Sequence, residues 1–242
     1  MSGPAIILVE TQLAENIGHT ARAMLNFGLR DLRLVAPRDG WPNPRATSTA
    51  VGADGVLKAA KVFENVEAAI GDLTLVYAAS VRTRELPKGV ESPESAGLKM
   101  IQAVAGGGRC GVLFGPESSG LSNQDLVLAD AVITIPVNPE FSSLNLAQAV
   151  ILVAYEWSQA AEQGAALKSG QEPAATRDEL LGLIGHFEDE LDKRRYFHPA
   201  GRRPALKLAL RNLLSGAGFN SMQVRTLRGV IAALTRRPDD RD

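Results

Sequence analysis

Four short polar segments of this 242-residue sequence carry the side chains that could do chemistry. The first is NIGHTARAM, where Asn16 and Arg22 stand six residues apart near the start of a predicted helix. Taken alone, an asparagine at this place is typical of a helix N-cap, and the arginine is typical of a surface charge. The segment is therefore a candidate functional site only if other polar groups lie close to it in the fold.

The second segment, VYAASVRTRELP, begins as a strand and continues into two arginines. The small side chains of Ala79 and Ser80 would let a ligand approach the backbone closely. Arg82 and Arg84 could hold a phosphate group, or they could simply be solvated. The residues alone leave both interpretations open.

The third segment, VLFGPESSGLSNQD, runs from a strand through Gly115 and Glu117 into a hydroxyl-rich turn. Ser122 followed by an aspartate three residues later predicts a helix cap. The glycine spacing fits neither a P-loop nor a dinucleotide-binding fingerprint. There is no GxSxG motif and no suitably placed histidine, so Ser118 and Ser119 are not predicted to be nucleophiles.

The fourth segment, IPVNPEFSSLN, leads into a long apolar helix. Ser142 or Ser143 could cap this helix, and backbone groups within 135–144 could cradle a polar ligand. Three of the four segments end predicted strands, and the first segment opens the first helix. All four could therefore converge on one cleft.

Short apolar runs that alternate with helical patterns must position these segments. The predicted strands are 5–10, 31–36, 73–78, 110–115 and 131–136. The predicted helices lie near 16–27, 52–60, 64–70, 94–105, 122–129 and 143–162. This alternation predicts an α/β fold with a mostly parallel sheet and helices on both faces. In such sheets ligands collect beyond the carboxyl ends of the strands, where the polar segments fall.

The C-terminal part has a different composition from the rest of the chain. We predict a first domain over 1–160, a linker over 161–175 and a basic helical domain over 176–242, whose last helix lies near 221–235. Residues 1–192 contain 14 basic and 24 acidic residues, whereas residues 193–242 contain 12 and three. This segregation indicates either a polyanionic partner or a solvated basic face.

Composition argues against several classes of protein. The chain is 45% hydrophobic, yet it has no apolar run of the roughly 18 residues that a membrane helix needs. The N-terminal segment lacks the pattern of a signal peptide. One cysteine and three histidines do not form a zinc cluster with ordinary spacing. We therefore expect a soluble cytoplasmic protein with no metal.

Three of the segments resemble a known family. N-x-G-x-x-A-R at 16–22, FGPESSGLS at 114–122 and IPVNPEFSSLNLAQAV at 135–150 resemble the three ordered motifs of the SPOUT methyltransferases. ETQLAENIGHTARAM, AASVRTRELP and the basic helical tail are similar to the TrmJ-like tRNA ribose 2′-O-methyltransferases within that superfamily. The resemblance covers residues 4–160 closely and the tail more loosely.

The resemblance implies a fold and a cofactor that the hydrophobic patterns of the sequence do not predict. General topology rules disfavour knots, yet this family has a deep trefoil knot in the C-terminal part of its catalytic domain. Its knot loops bind S-adenosylmethionine in a bent shape, and the family works as a homodimer whose RNA target spans both subunits. The residues that correspond to these loops are Ala79, Ser80, Val81, Gly115, Ile135, Ser142, Ser143 and Leu144.

The resemblance also implies an active site and a reaction. The corresponding residues are Asn16, Arg22, Glu117, Ser143 and Asn145, and the implied reaction is methylation of the ribose 2′-hydroxyl at nucleotide 32 of tRNA. Because arginine stays protonated in proteins, we assign Arg22 the orientation of phosphate and ribose and the stabilisation of negative charge on the oxygen. The chain departs from the family at Pro116, where TrmJ-like enzymes often carry an arginine. This change removes one contact to phosphate and stiffens the loop.

Several alternatives remain beside this interpretation. The enzyme could methylate another tRNA position or ribosomal RNA. The chain could instead be an RNA-binding module without catalysis, although the retained polar residues of the motifs argue against this. It could also be a small-molecule α/β enzyme whose basic tail packs against an acidic partner domain. The tail itself argues moderately against that last alternative.

Overall fold

A parallel sheet forms the centre of the computed structural model, which describes residues 3–81, 88–163 and 174–235. The strands are β1 (Ala5–Val9), β2 (Leu32–Val35), β3 (Lys61–Phe63), β4 (Leu75–Ala79), β5 (Gly89–Glu91), β6 (Cys110–Phe114) and β7 (Ala131–Ile133). Their order is β3-β2-β1-β6-β4-β7-β5, and every neighbouring pair is parallel. The predicted mostly parallel sheet is confirmed.

Helices connect the strands and then continue beyond the sheet. They are α1 (Ala14–Asn26), α2 (Pro44–Ala50), α3 (Asp54–Ala59), α4 (Val66–Ile70), α5 (Pro93–Ala105), α6 (Asn123–Leu128), α7 (Leu146–Gln163), α8 (Arg177–Lys193), α9 (Arg203–Ser215) and α10 (Ser221–Thr235). A 3₁₀ helix at Ala200–Arg202 precedes α9. The sequence patterns missed α2, β3 and β5.

The continuous apolar runs arise because the sheet is covered on both faces. All five residues of β1 are buried. Ile6 and Leu8 belong to one hydrophobic cluster, whereas Ile7 and Val9 belong to another. Successive side chains of a strand point to opposite faces, so a strand between two helical layers needs apolar residues at every position.

Two sequence-based assignments stay predictions. The threading of the chain through a trefoil knot is one of them. The division into domains is the other, because most of the proposed linker 161–175 falls on 164–173, which lie outside the described residues. A capping box opens the first helix after the linker, with Thr176 and Glu179 bonded to each other's backbone amides.

The C-terminal helices α8, α9 and α10 pack around their own small apolar core and dock on the sheet. The amides of Arg177 and Asp178 donate to the carbonyls of Leu73 and Gly71, at 2.7 and 2.9 Å. Arg177, only 2% exposed, also pairs with Asp130 at 2.5 Å. Leu73 precedes β4 and Asp130 precedes β7, so the docking site lies at the amino edge of the sheet.

The acidic end of α8 neutralises part of the basic tail. Glu188 accepts hydrogen bonds from Lys207 Nζ at 2.9 Å and from Arg211 Nε at 2.7 Å. Glu190 pairs with the two basic residues that follow it, and Asp192 pairs with residues of α9. Acidic residues before position 193 therefore form ion pairs with basic residues after it, because α8 and α9 pack side by side.

Glu188 is expected to make stability depend on pH. Burial raises the pKa of its carboxyl group, but hydrogen bonds from Arg211 and Lys207 outweigh burial and hold the pKa below the usual 4.5. The carboxylate therefore contributes stability above about pH 4.5, and this contribution is lost as the pH falls through the folded-state pKa. Glu188→Gln should be about 1–3 kcal/mol less stable at neutral pH and should lose less stability on acidification.

Urea unfolding between neutral pH and about pH 3 would measure this difference. Asp189→Asn is the matched control, because Asp189 is exposed and has no ion pair among the residues that the structure describes. Parallel acid profiles for wild type and Glu188→Gln would show that this carboxylate does not couple stability to pH.

Candidate active site

One pocket lies at the carboxyl edge of the sheet, where β4, β6 and β7 end. Its volume is about 260 Å³, and three chain segments line it. All eight residues predicted to bind a cofactor are among the lining residues: Ala79, Ser80, Val81, Gly115, Ile135, Ser142, Ser143 and Leu144. Phe114, Ile133 and Leu146 add apolar residues to the wall.

The loop after β6 has a shape that only glycine allows at its first position. A Cβ atom on Gly115 would lie 2.3 Å from the backbone nitrogen of Leu121. The loop turns back through Gly120, whose φ is +67°, and the Gly120 amide donates to the Pro116 carbonyl at 2.8 Å. Ser122 then caps α6 through a capping box, as predicted. The loop is thus fixed at both ends.

The loops after β4 and β7 are joined to each other. The Ser80 amide donates to the Ile133 carbonyl at 3.0 Å, and Thr134 Oγ1 donates to the Ser80 carbonyl at 3.0 Å. These bonds extend the pairing of the two strands into the pocket wall. Arg82 and Arg84, the candidate phosphate ligands of this segment, lie outside the described residues.

A chain of polar groups joins three distant segments beside the pocket. Asn16 Nδ2 donates to Glu117 Oε1 at 2.7 Å, and Asn145 Nδ2 donates to Asn16 Oδ1 at 3.0 Å. The same carboxylate accepts the backbone amides of Gln12 at 2.9 Å and Leu13 at 3.4 Å. Asn16, Glu117 and Asn145 are therefore brought together, although Glu117 stands about 100 residues from Asn16 in the sequence.

Two expectations about helix caps are wrong. Helix α1 begins at Ala14, so Asn16 lies inside its first turn and directs its amide at Glu117 instead of capping the helix. Helix α7 begins at Leu146, and its cap is Asn145, whose Oδ1 accepts the amide of Ala147 at 2.9 Å. Ser142 and Ser143 do not cap this helix, and both line the pocket.

Gln12 is a site residue that the sequence analysis missed. Its Nε2 donates to the hydroxyl of Ser118 at 2.8 Å, and Ser118 lines the pocket. The available sequence feature was position, because Gln12 follows β1 and the carboxyl end of β1 lies at the same edge of the sheet as the pocket.

Arg22 does not line the pocket. It is exposed on α1 and has no hydrogen bond or ion pair within the described parts of the chain. Six helical positions correspond to about 9 Å along the axis and about 240° of rotation. Asn16 and Arg22 therefore point in different directions, and the catalytic role of Arg22 stays a prediction.

Neither the buried cysteine nor a metal-binding cluster forms a second centre in the part of the chain that the structure describes. Burial raises the pKa of the Cys110 thiol to about 12, so it is not a nucleophile at neutral pH. Among the residues that the structure describes, no three acidic, histidine or cysteine side chains are grouped to hold a metal ion. No helix in the described ranges is long and apolar enough to span a membrane.

Comparison with known proteins agrees with this arrangement. Residues 3–155 match the model of the SpoU rRNA Methylase family. The chain is 34% identical over 236 residues to the tRNA (cytidine/uridine-2′-O-)-methyltransferase TrmJ of Escherichia coli strain 536, covering 95% of this chain and 94% of that protein. It is 35% identical to the TrmJ protein of Salmonella typhimurium strain LT2, covering 95% of each chain.

A solved structure also indicates similarity to TrmJ proteins. The crystal structure of TrmJ from Z. mobilis ZM4 is 55% identical, covers 97% of this chain and 100% of that chain, and has a TM-score of 0.88. The resemblance noted in the sequence motifs is thereby confirmed. The chain belongs to the SpoU methylase family and, within it, to the TrmJ-like tRNA 2′-O-methyltransferases.

Proposed function

We propose that this protein transfers the methyl group of S-adenosylmethionine to a ribose 2′-hydroxyl of tRNA in the cytoplasm, at nucleotide 32 of the anticodon loop. The observation that carries the proposal is the meeting of three separated segments at one pocket. Asn16, Glu117 and Asn145 form a hydrogen-bonded chain beside this pocket. The segments that contribute them are those that resemble the ordered motifs of the family.

The pocket has the chemistry that the cofactor needs. When bound, S-adenosylmethionine supplies an activated methyl group on a sulfonium centre. Ile135 and Leu144 offer apolar contact to a planar base. The methyl side chain of Ala79 and the lack of a side chain at Gly115 leave backbone groups accessible. Small side chains beside exposed backbone favour recognition of adenine and ribose through main-chain hydrogen bonds. The eight lining residues predicted above are those that we assign to cofactor binding.

The polar residues would act by positioning. Glu117 fixes the loop after β6 to the start of α1, and Asn145 fixes the start of α7 to Asn16. Ser143 lines the pocket, where its hydroxyl could bond the ribose or the cofactor. Holding two reactants in line can remove on the order of 7–11 kcal/mol of the barrier at best.

Arg22 would enter the site from a second copy of the chain. Helices α1 and α7 pack against each other, and Leu13, Leu152 and Tyr155 are exposed apolar side chains on or beside them. Such a surface suits a homodimer interface. A homodimer that joins these faces would carry Arg22 of one protomer towards the pocket of the other. There its guanidinium would orient the target phosphate and stabilise negative charge on the ribose oxygen.

The test is methyl transfer from labelled S-adenosylmethionine to unmodified tRNA. We expect incorporation into tRNA, and we expect a substrate that already carries a 2′-O-methyl group at nucleotide 32 to accept none. Incorporation into that blocked substrate would place the reaction at another nucleotide. Binding of tRNA without any incorporation would support a non-catalytic RNA-binding module.

A further inference from the structure

The segment from the end of α8 to the first residue of α9 combines basic and aromatic residues in the sequence RRYFHPAGRR, residues 194–203. We call it the α8–α9 loop. Four of its ten residues are arginines, and they surround Tyr196, Phe197 and His198. Interleaved arginine and aromatic side chains are typical of surfaces that bind single-stranded nucleic acid. Neither the pocket nor the polar chain beside it uses any residue of this loop.

The structure holds the α8–α9 loop in a defined shape. Phe197 is 2% exposed and anchors the loop, with Lys207 Nζ 5.4 Å from the centre of its ring. Tyr196 packs edge-on against Phe197, and the residue remains 56% exposed. The amide of Tyr196 donates to the Leu191 carbonyl at 3.0 Å. An exposed ring on a fixed backbone loses little freedom on binding, which favours its use as a stacking platform.

The charges of this loop fall into two classes. Arg194 is paired with Glu190, and Arg203 is paired with Asp192. Arg195 and Arg202 are exposed and have no ion pair within the described parts of the chain. Arg195 also has a φ of +59°, a left-handed conformation that side chains other than glycine rarely adopt. The loop that carries the exposed Tyr196 therefore also carries two guanidinium groups without an ion pair in the described residues.

An unpaired stretch of RNA fits this combination better than an acidic protein does. Carboxylates of an acidic protein would form ion pairs with the arginines, but they would not stack on an exposed aromatic ring. A base can stack on the ring while neighbouring phosphates bond the guanidinium groups. We propose that the α8–α9 loop binds an unpaired segment of the RNA substrate, with Tyr196 stacking on a base and Arg195 and Arg202 holding phosphates. This inference rests on the proposed function.

None of residues 194–203 lines the pocket, so contacts made by the α8–α9 loop are separate from it. Helix α8 starts at Arg177, which is docked at the amino edge of the sheet. The α8–α9 loop follows the other end of α8, about 25 Å along the helix. Contacts at the loop would therefore add to RNA affinity without changing the cofactor site.

The experiment measures tRNA binding at several salt concentrations, together with methyl transfer and the KM for S-adenosylmethionine. Tyr196→Ala should weaken tRNA binding roughly ten- to a hundred-fold, and Tyr196→Phe should retain wild-type affinity because it keeps the ring. The double variant Arg195→Gln/Arg202→Gln should make the slope of log affinity against log salt shallower by about 1.4–1.8. The KM for the cofactor should not change in any variant.

The matched control is Arg225→Gln/Arg228→Gln, which removes the same charge from exposed positions on α10. That helix has no exposed aromatic residue in its described range, and Arg225 acts electrostatically on the carboxylate of Glu179. We expect the control to keep the wild-type slope. Equal losses in both double variants, or full affinity in Tyr196→Ala, would overturn the proposal while wild-type methyl transfer leaves the proposed function standing. Wild type that neither binds nor methylates tRNA would overturn both.

Discussion

Replacing Arg22 by alanine is expected to lower kcat for tRNA methylation by about 10²- to 10³-fold. In the proposed role the guanidinium stabilises negative charge that develops on the ribose oxygen, and alanine offers no donor in its place. Binding of S-adenosylmethionine should remain at the wild-type level, because Arg22 does not line the pocket. Unfolding free energy should change by no more than about 0.5 kcal/mol, as for other exposed positions without partners.

Single-turnover methyl transfer and equilibrium cofactor binding would separate these effects. Arg30→Ala is the matched control, since Arg30 is an exposed arginine beyond the end of α1 without an ion pair among the described residues. Arg22→Lys tests geometry, because lysine keeps the charge but lacks the planar fork of donors. Parallel losses of cofactor affinity and transfer in Arg22→Ala would mean that the residue supports the fold instead of the reaction.

The Arg22→Ala variant can also test whether Arg22 acts in the pocket of a second copy of the chain. A mixture of Arg22→Ala chains with chains that carry a blocked pocket should recover activity, because one of the two sites in a mixed dimer is then complete. Gly115→Val provides the blocked pocket, since a Cβ atom at this position collides with the Leu121 backbone. Mixtures that stay inactive after subunit exchange would place Arg22 outside any shared site.

The sequence predicted the buried part of the sheet well because of where those strands lie. A strand covered on both faces needs apolar residues throughout, so β1 and β6 read as unbroken hydrophobic runs. Strand β3 lies at the edge of the sheet, and two of its three residues are exposed. Its short and partly polar sequence, KVF, is not distinguishable from a turn by pattern alone.

The site was predictable in its location but not in its contacts. Strand ends marked where Gly115, Ser80 and Ile135 would meet, because parallel strands share one carboxyl edge. The bond between Asn16 and Glu117 depends on how α1 packs beside the loop after β6, and no local pattern contains that information. The strand ends indicated that the segments of Asn16 and Glu117 could converge, and the resemblance to a family assigned these two residues to one active site.

The basic tail shows the limit of counting charges. No acidic residue lies between Lys193 and Arg237, which indicated either a polyanionic partner or a solvated basic face. In the structure Glu188, Glu190 and Asp192 of α8 pair with basic residues of the tail. Net charge therefore overestimates the surface that is available to RNA, and it does not reveal which arginines remain uncommitted.

Replacing Glu117 by glutamine is expected to lower kcat/KM for methyl transfer by about 10²-fold and to cost about 1–3 kcal/mol of stability. The Glu117 carboxylate accepts hydrogen bonds from the Gln12 amide at 2.9 Å and from Asn16 Nδ2 at 2.7 Å. Glutamine has the same size but only one acceptor oxygen, so its NH₂ group must face one of these donors. Whichever donor loses its partner, the link between the pocket loop and α1 is weakened.

Steady-state kinetics, cofactor binding and urea unfolding of Glu117→Gln would test this expectation. Glu140→Gln is the matched control, since Glu140 is an exposed glutamate in the loop after β7 whose carboxylate has no hydrogen bond within the described residues. The same charge change there should leave activity and stability near wild type.

Because Asn145 reaches the site through Asn16, Asn145→Ala should reduce kcat/KM less than Glu117→Gln does. The opposite order would show that the start of α7, and not the carboxylate, organises the pocket.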